Sequence, residues 1–86
     1  MNATRRKEIA QLVTEFQALR DTIDNLKERV ETIRDEENDY FDVMPEGLRA
    51  GDRGAAAEEA VGNLDQVIEG LPDTDELIGY LEEAAQ

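Results

Sequence analysis

The sequence predicts an all-α protein: a long antiparallel helical hairpin, coiled-coil-like, with a short C-terminal helix. Three observations carry this. Ile9, Leu12, Phe16, Leu19, Ile23, Leu26, Val30 and Ile33 recur at alternating spacings of three and four, and Tyr40 and Met44 continue the register after one interruption. That repeat is the apolar seam of a coiled coil or helical bundle, not the alternation of a strand. Pro45, Gly47, Gly51 and Gly54 then crowd into PEGLRAGDRG, which reads as a connection. Beyond it Ala57, Val61, Leu64, Ile68 and Leu71 resume a helical spacing. Two long helices joined by a short connection become antiparallel neighbours.

The first helix is expected over about residues 4–44. Thr4 is a suitable N-cap, and Glu8 lies near the positive helix end. Pro45 stops the helix and restricts Met44 before it. At 1.5 Å per residue such a helix is roughly 60 Å long. In heptad terms Ile9, Phe16, Ile23, Val30 and Met44 take position a, and Leu12, Leu19, Leu26, Ile33 and Tyr40 take d. Glu37 also falls at a. Two readings of it stand: paired with Arg49 or Arg53 from the connection, or in a seam that frays into solvent near the hairpin tip.

The connection is expected over about residues 45–52 and the second helix over about 53–70. Asp52 is placed to cap it, Glu58 and Glu59 follow in the early turns, and Ala56, Ala60 and Val67 form a thin line beside its seam. Gly70-Leu71-Pro72 breaks or kinks it. Asp73 or Thr74 then caps a short helix over about 74–85, which offers Leu77, Ile78, Leu81 and Ala85. All of this reads as one helical domain, residues 1–86, with Arg5, Arg6 and Lys7 overhanging the returning arm or lying against Glu82 and Glu83.

A hairpin covers only one side of each seam. Phe16, Tyr40, Phe41 and the small-residue line ask for more cover, so self-association into a helical bundle, a homodimer, is expected. The alternative is a monomer in which the segment after Pro72 folds over the core.

Composition narrows the function. The 86 residues include no cysteine and no histidine, which removes disulfides, thiolate metal sites and Cys or His nucleophile and base chemistry. The net charge is −13. Residues 1–34 carry seven basic and six acidic side chains, a net of +1, whereas residues 35–86 carry two basic and sixteen acidic ones, a net of −14. Direct contact with nucleic acid or anionic lipid is therefore disfavoured, and a protein with a basic surface is the natural partner. The plainer reading is that the acids serve solubility. No run approaches the ~20 apolar residues of a membrane span. No apolar stretch follows the basic residues of MNATRRKEIAQLV, so no secretory signal is read and the expected location is cytoplasmic.

The densest polar stretch is DEENDYFD, residues 35–42. On a helix Asp35, Asn38, Asp39 and Asp42 project from one face. Such oxygens could take a divalent cation, but the loop and central glycine of a calcium site are missing, and a solvated acidic face is the better account. The candidate partner-binding residues are Asp35, Glu36, Asp39 and Asp42 with the apolar Phe41, Met44 and Leu48. Arg49 and Arg53 beside a glycine-rich turn form the only candidate anion contact, but the lysine and spacing of a phosphate loop are absent. No nucleophile or oxyanion donors accompany the carboxylates, so no enzyme, metal or cofactor is expected.

Residues 36–71, EENDYFDVMPEGLRAGDRGAAAEEAVGNLDQVIEGL, resemble a group of small tailed-phage and prophage proteins. These carry an acidic run, a Y/F-D-x-M-P-E-x-L hinge, then R-G and a helix rich in alanine, glutamate and leucine. The matching residues are Tyr40, Phe41, Asp42, Met44, Pro45, Glu46, Leu48, Arg53, Gly54, Glu58, Glu59 and Leu64, with the M-P-E hinge the most specific. The resemblance implies a helical hairpin and a phage accessory context, not an activity. Pro72 departs from the continuous second helix of that group.

Three functions follow as expectations. The first is an accessory interaction protein or inhibitor that modulates a host or defence protein through its acidic helical surface, with nucleic-acid mimicry as one version. The second is an oligomer that sequesters a small molecule such as a nucleotide. The third is a structural virion or assembly coiled coil.

Overall fold

Asn2 opens the first helix. In the computed structural model, which describes all of residues 1–86, its side-chain oxygen accepts the Arg5 backbone N–H at 2.9 Å. Asn2 thus takes the capping role expected of Thr4, because its carbonyl reaches an amide that has no partner within the helix. Helix α1 runs over Ala3–Asp42, α2 over Glu46–Arg49, α3 over Asp52–Gly70 and α4 over Thr74–Ala84; there is no strand. No helix is long and apolar enough to cross a membrane.

Helix α1 ends at Asp42, before the expected Met44. Its closing bonds run from Val43 N–H to the Asp39 carbonyl and from Met44 N–H to the Phe41 carbonyl. Pro45 has φ −55° and ψ 145°, and its carbonyl accepts the N–H groups of both Leu48 and Arg49. The segment read as a plain connection therefore contains a helical turn, α2. A proline preceding a helix gives up no backbone bond, since the first amides of a helix lack partners anyway.

Gly51, not Asp52, caps α3, in an extended conformation and without a side-chain bond. Asp52 is its first helical residue and brings a carboxylate to the positive end. At the other end Leu71 is extended, as the residue before a proline tends to be, and its N–H bonds to the Ile68 carbonyl. Asp73 then caps α4 by accepting the Glu76 N–H at 3.2 Å.

The chain divides into two compact units. One combines Met1–Asn25 with Pro72–Gln86, and the other is Leu26–Leu71. The break at Leu71-Pro72 separates the returning arm into α3 and α4, so each covers its own stretch of α1. In the first unit Ile23, Thr74 and Ile78 are buried, with Phe16 and Leu81 half-buried. In the second, Met44, Gly54 and Ala57 are buried, with Val30, Phe41, Leu64 and Ile68 half-buried. No large side chain is fully buried in either. The cores are thin.

The covered face of α1 is rotated from the expected a/d seam. Position a faces inward, but its companions are Val13, Arg20, Arg34 and Phe41 at position e, while Leu12, Leu19, Leu26, Ile33 and Tyr40 at d stay exposed. Ion pairs accompany this rotation. Arg34 Nη1 bonds Asp65 at 3.0 Å in one unit, and Arg20 Nη1 bonds Asp75 at 3.0 Å in the other. Exposed pairs add little stability, but they mark which edge of α1 lies toward its neighbours. Arg5, Arg6 and Lys7 form no ion pair, so the suggested contact with Glu82 and Glu83 is not made.

Gly54 sets the closeness of α2 and α3. A Cβ there would stand 2.7 Å from the Arg49 Cα and nearer still to its carbonyl, and backbone cannot swing aside as a side chain can. Gly54→Ala is expected to destabilise the protein by about 2–4 kcal/mol, in the range of severe steric substitutions. Gly62→Ala, with open space around the new methyl, is expected to stabilise slightly by removing a helix-interior glycine. Thermal melts of the two variants measure the contrast.

Candidate functional site

The acidic stretch 35–42 forms the last two turns of α1, so helix periodicity sets Asp35, Asp39 and Asp42 on one face with Glu36 to one side. Asp35, Glu36, Asp39 and Asp42 are all exposed. They are not equivalent. Asp35 accepts from Arg34 Nε and Nη2, each at 3.2 Å, while the same guanidinium donates to Asp65. The hydrogen bond to Asp65, and then that to Asp35, push Arg34 above its ordinary pKa. Arg20 is raised likewise, first by its bond to Asp75. Glu36, Asp39 and Asp42 form no ion pair and leave their charge to solvent.

The apolar residues proposed beside these acids divide in the same way. Met44 is only 5% exposed and belongs to the core. It is not available to a partner. Phe41 is half-buried, and the Arg49 guanidinium carbon lies 5.7 Å from its ring centroid. Arg49 Nη2 also donates to the Met44 carbonyl at 3.2 Å. These contacts tie α2 to the end of α1, combining a cation–π attraction with a charge-assisted hydrogen bond. Leu48 remains exposed, as do Tyr40 and Val43.

The two arginines of the glycine-rich turn differ in their surroundings. Arg49 is engaged with Phe41 and Met44, Arg53 stands in the first turn of α3 with no ion pair, and Gly54 is buried against the Arg49 backbone. Its glycine serves close helix packing. No group of three acidic side chains converges as a metal site would require. Neither arginine reaches Glu37, which is half-buried with no ion pair, so of the two readings the partly solvated one describes it.

The residues that sequence reasoning missed are Arg20 and Arg34. Their signal was present: Val13, Arg20, Lys27, Arg34 and Phe41 recur every seven residues, a mixed row easily passed over beside the purely apolar d row. No protein-family model matches the chain, and no curated protein or solved structure does. The site must therefore be read from its own chemistry: an exposed, unpaired acidic surface at the end of α1, on a turn locked by Arg49.

Glu37→Leu is expected to raise stability by about 1 kcal/mol, since half-burial recovers only part of the value of a buried leucine. A shift of the urea midpoint to higher concentration at unchanged slope is the readout. A loss of stability would mean that Glu37 has a favourable partner.

Proposed function

We propose that the protein is a non-enzymatic accessory interaction factor that binds a protein with a basic surface through the acidic end of α1. The observation that carries this is the exposed set Glu36, Asp39 and Asp42, none of them neutralised by an ion pair. Charges left unpaired in solvent attract an oppositely charged partner over a Debye length of about 8–10 Å at physiological salt. Leu48 and Val43, exposed on the adjoining turn, supply apolar contact once the partner arrives. The charge balance of residues 35–86 supports a protein partner over nucleic acid, and leaves mimicry of nucleic acid on a DNA-binding enzyme as one form of the reading. The phage or prophage setting and the host-cell cytoplasm rest on the resemblance of residues 36–71. In this reading the acting species is a homodimer.

Affinity capture from host cells, followed by mass identification, supplies the partner. Glu36, Asp39 and Asp42 are then changed together to lysine, since none of them supports the fold through an ion pair. Association is expected to slow at least tenfold at low salt, and the wild-type rate is expected to fall as salt rises. An association rate indifferent to both would leave the acids with solubility alone.

A further inference from the structure

Helix α4 keeps its place through few groups. In the unit that joins Met1–Asn25 with Pro72–Gln86, only Ile23, Thr74 and Ile78 are buried. Phe16 and Leu81 are half-buried, while Leu77 and Tyr80 of α4 stay exposed. The one side-chain hydrogen bond from α4 to the rest of the chain is that of Arg20 Nη1 to Asp75. The Asp75 carboxylate is largely in solvent, so this pair adds little stability.

The helix is also weak in itself. Its 11 residues fall short of the ~12–15 at which even an isolated alanine-rich helix is marginal in water. Its start is well made, with the Asp73 cap and with Asp75 and Glu76 at the positive end. Its other end is not. The last turn carries Glu82 and Glu83 and no basic residue, which opposes the helix dipole.

The joint to α3 gives no further support. Leu71 and Asp73 are both extended, and Pro72 between them has no N–H to donate. The last bond of α3 runs from Leu71 N–H to the Ile68 carbonyl. Helix α3 differs on each count. It has 19 residues, its first turn is locked through Gly54 against the Arg49 backbone, and Ala57 is only 1% exposed. Segments with few buried apolar groups and an unbonded joint are those that open locally while the rest of a protein stays folded.

We propose that α4 is a lid on the Met1–Asn25 part of α1, opening by local unfolding about the Leu71–Asp73 joint while the Leu26–Leu71 unit stays folded. Opening joins Phe16 and Ile23 to the already exposed Leu12 and Leu19, giving one apolar stripe at i, i+4, i+7 and i+11. The closed lid leaves part of that stripe uncovered, as an open hollow of about 130 Å³ between Leu12, Glu15, Phe16 and Leu19. The lid thus controls how much apolar surface α1 presents. It does not depend on the acidic partner surface proposed above, nor on self-association.

Hydrogen exchange on the full chain, resolved by mass spectrometry of peptic peptides, tests the lid. Amides of residues 77–84 are expected to be protected, but about tenfold less or lower still than those of residues 61–70 in α3. Ile78→Ala is expected to lower α4 protection about tenfold or more and to leave α3 protection unchanged. Arg20→Gln, which removes only the exposed pair, is expected to lower α4 protection about two- to fivefold. The chain has no cysteine, so Ile23→Cys supplies a unique thiol beneath the lid. Its reaction with a thiol reagent is expected to follow the exchange of α4 and not that of α3. Three results would each overturn the lid. One is a single level of protection in α3 and α4 that falls as a whole in Ile78→Ala. The others are α4 amides with no protection in the wild type, and an Ile23→Cys thiol that reacts only as α3 exchanges.

Discussion

The contact between Gly54 and the Arg49 backbone governs the rest of the Leu26–Leu71 unit. Helix α3 can cover α1 only if the chain reverses tightly, and α2 makes that reversal by standing against the first turn of α3. Any side chain at residue 54 would push the two apart. The same turn carries Arg49, whose guanidinium lies over the Phe41 ring and bonds the Met44 carbonyl. A glycine, a proline and an arginine therefore do together what none does alone. Pro45 ends α1 and starts α2, Gly54 admits close approach, and Arg49 ties the turn back to α1.

From that reversal follows a choice about which side of α1 is covered. Alanines and a glycine at the start of α3 offer little apolar bulk, and no large side chain is fully buried anywhere in the chain. A thin core of this kind gives a limited hydrophobic gain, since stabilisation scales with the apolar area removed from water. Rotation of α1 toward Arg34–Asp65 and Arg20–Asp75 settles the helix against its returning neighbours but leaves a leucine-rich row outside. The exposed row lies on the edge of α1 away from these ion pairs.

The acids of residues 35–42 acquire different roles through the same geometry. Asp35 is drawn into the Arg34 pair, while Glu36, Asp39 and Asp42 keep their charge in solvent. The apolar candidates separate too: Met44 goes to the core, Phe41 to the arginine, and Leu48 stays outside. What remains accessible is a surface of charge with a small apolar margin.

Periodicity and breakers alone determined the three longer helices of this protein, though not the turn α2. The three-four spacing from Ile9 onward, Pro45 and the glycines after it, and Leu71-Pro72 are local signals, because helix geometry and proline stereochemistry act over a few residues. The acidic surface was legible for the same reason, since charge at helix positions needs no partner to be exposed. Tertiary structure alone decided which apolar row faces inward. Positions a, d and e of α1 all carry apolar residues, and the covered edge is marked by contacts to Asp65 and Asp75, thirty-one and fifty-five residues from their arginines. It decided the fates of Met44 and Arg49 as well, and the division of the chain into two units. These depend on contacts between segments distant in sequence, whose geometry no local spacing contains.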